Sequence, residues 1–158
     1  YTLSLHDALP IYQKVVILPP VVDRRIEIRG NEASDDYLKL MARYAGKLLL
    51  DYDPSSIEEN FSDFLKLVSP DVFARMRVEM DKMIEEVIRL RVSSSFHIHT
   101  IKKIGNQNRI ELVGNRTKRS DNTLISQDIE HHTIEYAIDD GSFLIKGVSE
   151  KNAAQKTS

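Results

Sequence analysis

The sequence predicts an α+β domain, three helices packed on one face of a curved antiparallel sheet of about four strands, and three observations carry that prediction. Apolar residues recur at spacings of three and four from Leu38 to Val87. From Phe96 onward they recur at every second position. Helix-start residues punctuate the first regime at Ser34, Ser56 and Ser69-Pro70, and turn residues punctuate the second at Gly105 to Asn108, Asp121-Asn122 and Asp139-Asp140-Gly141.

Before the first helix, Lys14 to Gly30 reads as an extended segment. Pro19-Pro20 removes two amide donors, and Arg24, Ile26 and Ile28 alternate with Arg25, Glu27 and Arg29, which predicts an edge strand over Arg24 to Arg29. Ser34 is a candidate N-cap with Asp35 and Asp36 in the first turn, where carboxylates favour the helix dipole. Leu38, Met41, Ala45, Leu48, Leu49 and Tyr52 form the stripe that follows, ending before Pro54; Gly46 inside it points to close packing. Ser56-Ile-Glu-Glu59 reads as a capping box for a second helix with Ile57, Phe61, Phe64, Leu65 and Val68 inward. Ser69-Pro70 starts the third and longest helix, whose stripe runs Val72, Phe73, Met76, Met80, Met83, Ile84, Val87, Ile88 and Arg91. Ser93-Ser94-Ser95 reads as a polar connector. Strands are then expected around Phe96 and Ile98, around Ile110 and Leu112, from Thr123 to Ile138, and from Phe143 to Val148, the last two joined by the Asp139-Asp140-Gly141 hairpin.

Composition bounds the chemistry. The 158 residues are 41% apolar and 29% charged, in the range of a single globular domain. With no Cys there is no thiol nucleophile, thiolate metal site or disulfide. A net charge of -2 supplies no global field toward nucleic acid. Charge is nonetheless sorted along the chain: between residues 100 and 119 six basic residues stand against one acidic residue, and between 120 and 150 seven acidic residues stand against one basic residue. Opposite charges on neighbouring strands account for this as an ordinary solvated sheet face. The functional alternative is a basic strip of Lys102, Lys103, Arg109, Arg116, Lys118 and Arg119 offered to an acidic protein partner.

Chemical motifs are sparse. His97 and His99 share one face of a strand about 7 Å apart, and with His131 or His132 they are the best metal candidate, but no flanking Asp or Glu motif supports them and no metal is assigned. No phosphate loop or nucleophile elbow is present, so no catalytic residue and no cofactor is assigned. The enzyme alternative is a small cone with an Asp or His in an apolar pocket lined by Phe96, His97 and Tyr136, of isomerase or dehydratase type. Met41, Met76, Met80 and Met83 read first as core and second as an adaptable partner groove.

The segments VVILPPVVD (Val15 to Asp23), SDDYLKLMARYAGKLLLDYDPSS (Ser34 to Ser56), VSSSF (Val92 to Phe96) and HTIEYAI (His132 to Ile138) together resemble the TraE family of F-type conjugative type IV secretion systems. The resemblance implies a periplasmic domain shaped like the nuclear transport factor cone, similar to that of the VirB-type bitopic scaffold subunit, carried on one upstream inner-membrane helix. It implies no enzyme activity. It also implies assembly with itself and with other secretion-channel subunits, no direct nucleic-acid binding, and a part in conjugative DNA transfer and pilus formation. The expected organisation is a foreign start over residues 1–12, a linker and edge strand over 13–30, the periplasmic domain over 31–150 and a disordered tail over 151–158.

Overall fold

Period-two patterning builds a four-stranded antiparallel meander in the computed structural model, which describes residues 28, 29 and 32–151. Among these residues the elements run β1 (Ile28–Arg29), β2 (Glu32–Ala33), α1 (Asp35–Leu50), α2 (Ile57–Leu65), α3 (Pro70–Leu90), β3 (Val92–Lys103), β4 (Arg109–Ser120), β5 (Thr123–Asp139) and β6 (Ser142–Lys151). The sheet order is β3-β4-β5-β6, with β1 and β2 forming a separate two-stranded ladder. Of the expected edge strand only Ile28–Arg29 falls within the described residues; residues 24–27 lie outside them, as do the start and the tail.

Short connections force neighbouring strands to pair. Asp140 (φ 46°) and Gly141 (φ 81°) both occupy the left-handed region, which lets a two-residue turn match the twist of β5 and β6. Register shifts between Ile98 and Thr100, Lys118 and Arg119, and Glu135 and Tyr136 interrupt the ladders, and such bulges bend a sheet. The concave face carries Phe96, Ile110, Leu112, Ile134, Tyr136, Phe143 and Ile145, all buried.

Helix α1 covers that face with Tyr37, Leu38, Met41, Ala42, Ala45 and Leu50. The Ser34 hydroxyl accepts the Tyr37 amide at 3.2 Å, as the sequence predicts for its cap. A Cβ on Gly46 would lie 2.5 Å from Leu112 Cδ1, so glycine here lets the helix approach the sheet.

The second helix starts differently from expectation. Ser56 makes no cap to Glu59; instead Asp53 Oδ1 accepts the amides of Ser55 (2.8 Å) and Ser56 (2.9 Å), while Ser56 Oγ accepts the Asp53 amide at 3.0 Å. The reciprocal box is therefore shifted three residues upstream, with Pro54 just inside the turn, where its missing N–H costs nothing.

Two further expectations are corrected. Ser93-Ser94-Ser95 is not a connector but part of β3, because the Tyr52 and Ser94 backbones pair (2.9 and 2.7 Å) and the Ser94 hydroxyl donates to Leu50 O at 2.6 Å. Arg91 is not on the α3 stripe: it ends the helix in the left-handed region (φ 54°), and its Nε lies 2.7 Å from Asp121 Oδ1. Of that stripe only Met80 and Val87 are buried. Val72, Phe73, Met76, Met83 and Ile84 are half-covered, while Ile88 is exposed.

Candidate functional site

Strand alternation carries a cation into the concave face. Ile110, Leu112 and Gly114 point inward from β4, and Arg116 is next in that series. Its side chain is only 6% exposed, so each guanidinium nitrogen must find a partner. Nε donates to Ser94 Oγ at 2.9 Å, Nη2 to the Tyr52 hydroxyl at 3.1 Å and Nη1 to Glu130 Oε2 at 3.3 Å. Glu130 in turn lies 2.6 Å from His132 Nε2, and the His132 ring meets Phe96 edge-on at 5.4 Å. Burial, the largest single influence on the Glu130 carboxyl, pushes its pKa up, but the His132 hydrogen bond and the Arg116 charge outweigh it and hold the pKa below the usual carboxylate range.

The network borders an open cavity of about 250 Å³ whose walls include Met76, Met80, Met83, His132 and Glu150. Met76 and Met83, half-covered on α3, line this cavity together with Met80 and with His132 of β5. Elsewhere the concave face is filled by the protein's own side chains: Tyr37, Met41, Phe61, Phe64 and Phe143 are fully buried.

The six basic residues of the expected strip divide between the two faces of the sheet. Arg116 and Lys118 alternate onto the inner side, and Lys103, paired in register with Ile110, reaches Asp35 of α1 at 3.5 Å. Lys102, Arg109 and Arg119 alternate onto the outer side. Arg109 meets Glu135 at 3.0 Å, and Lys102 stands opposite Glu111 in register. Arg116 is a buried structural cation, removed from any exposed strip by the alternation of β4.

The four histidines do not converge. His97 and His99 stack edge to face, 5.4 Å between ring centroids, on exposed positions of β3. His131 faces out, with Nδ1 3.6 Å from Glu111, while His132 faces in. Among the described residues, the group of potential metal ligands is Glu130, His132 and Glu150, whose ligand atoms lie within 4.8 Å of one another. Its signal was Glu-x-His on a strand already known to alternate. The proposed pocket trio also separates: Phe96 and Tyr136 are in the core, Tyr136 stacked on Phe143 at 5.3 Å, and His97 is on the opposite face.

A three-helix cover on a half-open antiparallel sheet, with a paired polar network in its concave face, is a nuclear transport factor-like cone. Within that class the chain belongs to the TraE family, whose model, described as TraE protein, matches residues 5–150. The structure is similar to a TrwG component of a type IV secretion system from Bartonella birtlesii (TM-score 0.64, 12% identity, 82% of this chain and 100% of that one). It is also similar to the periplasmic domain of DotI (TM-score 0.60, 12% identity, 76% and 96%) and to VirB8 of Agrobacterium tumefaciens (TM-score 0.54, 10% identity, 80% and 100%). At these identities the likeness is one of fold. No curated protein sequence matches the chain significantly. No helix among the described residues is long and apolar enough to cross a membrane.

Proposed function

We propose that this chain is a non-enzymatic structural subunit of a conjugative type IV secretion system, acting as a periplasmic scaffold held at the inner membrane by an upstream helix and needed for channel assembly, pilus formation and DNA transfer. The observation that carries the reading is the TraE family match over residues 5–150. The shared fold with the TrwG component and the DotI periplasmic domain supports it.

The geometry supports action by contact. Arg116 donates to Ser94, Tyr52 and Glu130, and Glu130 lies within hydrogen-bond distance of His132, so each of these groups has a structural partner in the concave face. A general acid or base of the pocket type needs a pKa moved toward neutrality, whereas Glu130 is moved away from it. Contact surfaces remain on the outside. Lys102 and Arg119 are exposed on the outer sheet face and Lys118 is half-exposed on the inner one; with Lys103 and Arg109 they form the proposed docking residues for neighbouring channel subunits or a second copy of the chain. Nucleic acid is not the partner this surface favours, because its basic groups stand beside acidic residues such as Glu111 and Glu135.

The test is transfer from donor cells in which Lys102, Lys118 and Arg119 are reversed to Glu, leaving buried Arg116 in place. Loss of transfer at normal protein level is expected. Wild-type transfer removes these residues from the docking surface.

A further inference from the structure

We propose that Glu130, His132 and Glu150 form a zinc site at the mouth of the concave face, independent of the scaffold reading. Backbone geometry assembles it. Glu130 and His132 are two residues apart on β5 and therefore share a face, and Glu150 stands directly opposite His132 in the β5–β6 register. Their ligand atoms already lie within 4.8 Å of one another, and the cavity of about 250 Å³ that His132 and Glu150 line gives an ion and a water access.

The donor set selects the ion. One imidazole nitrogen with two carboxylates suits a divalent ion of zinc type, which takes nitrogen and oxygen at about 2.0–2.2 Å. Tetrahedral ligands at that range are about 3.3 Å apart, so the 2.6 Å contact between Glu130 Oε2 and His132 Nε2 opens by about 0.7 Å when the ion replaces their hydrogen bond. Rotation of two side chains supplies that. Water from the open cavity takes the fourth position.

Charge is compatible. Two carboxylates and the Arg116 guanidinium leave a surplus of negative charge for the cation to neutralise. Arg116, 3.3 Å from Glu130, acts from outside as the hydrogen-bonding partner that ligating carboxylates usually have, while its charge moderates affinity. The Glu150 carboxylate makes no hydrogen bond or ion pair among the described residues, so recruiting it disrupts nothing. The three methionines shield the inner side; their thioethers are poor zinc ligands and do not compete.

The experiment is calorimetric titration of the tag-free chain with Zn²⁺ near neutral pH, with the His132 imidazole followed by NMR. Saturable binding of one ion per chain is expected, with the His132 ring signals shifting. Glu150→Gln, an exposed change that leaves the fold intact, weakens binding by about tenfold or more. A His97→Asn/His99→Asn double variant binds as the wild type does. Absence of saturable binding, binding unaltered by Glu150→Gln, or binding lost in the double variant each overturns the proposal, the last by assigning the ion to the exposed histidine pair.

Discussion

Arg116 and Glu130 meet 3.3 Å apart on the inner face of the sheet, one on β4 and one on β5, with their side chains 6% and 11% exposed. A buried pair of this kind contributes little relative to an apolar replacement of both partners, but losing one partner strands the other's charge. Arg116→Leu is therefore expected to destabilise the domain by about 3–5 kcal/mol. Denaturant unfolding measures it. The Arg116→Leu/Glu130→Leu double variant loses less than the sum of the single variants, which the double-mutant cycle reads directly.

Gly46 is the second sensitive position. Alanine there gains about 1 kcal/mol of helix propensity. It also places a methyl 2.5 Å from Leu112 Cδ1, so this fully buried side chain must shift within the core. Overpacking of about 1–3 kcal/mol outweighs the gain, so Gly46→Ala lowers stability. Leu112→Ala costs less in the Gly46→Ala background than in the wild type, because it removes the atom the methyl strikes; equilibrium unfolding of the four proteins tests this.

The helix start at Asp53 separates two overlapping patterns. Asp53→Ala lowers the melting temperature because both Ser55 and Ser56 amides lose their acceptor. Glu59→Ala, which would break a box at Ser56, leaves it unchanged. The reverse order in thermal unfolding would restore the box at Ser56 and Glu59.

Acid sensitivity has a located source. Asp71, at the start of α3, has Lys146 of β6 2.8 Å away and accepts the Ser69 hydroxyl, and these hydrogen bonds, Lys146 first, lower its pKa from 3.8 to about 2. A depressed folded-state pKa means stability that is present above pH 3.8 and is lost as pH falls toward about 2. An NMR titration of the Asp71 carboxyl should give a midpoint near that value. Lys146→Met moves the midpoint upward, and an unmoved midpoint assigns the shift elsewhere.

The same elements show how far sequence reaches. The Ser34 cap, the proline that starts α3 and all three hairpin turns were legible because each is local chemistry: an oxygen for an orphan amide, or a positive φ that few residues tolerate. Asp53 was missed because the capping pattern asks for Glu or Gln three residues after the cap, which Ser-Ile-Glu-Glu supplies and Asp-Pro-Ser-Ser, with Ser56 in that place, does not. Ser94 depends on the end of α1, forty-four positions away, and leaves no local trace. The case of Arg116 differs. Counting charge along a segment grouped it with Lys118 and Arg119, whereas counting by face, from Ile110 and Leu112 onward, would have placed it inside. Glu130 and His132 follow by the same count from Ile134 and Tyr136.

The scaffold reading is tested most directly by transfer frequency from donor cells lacking only this chain. Deletion in frame should abolish transfer and pilus assembly, with both restored when the intact protein is supplied in trans. Transfer at the wild-type frequency without the chain would contradict a structural role in the secretion channel.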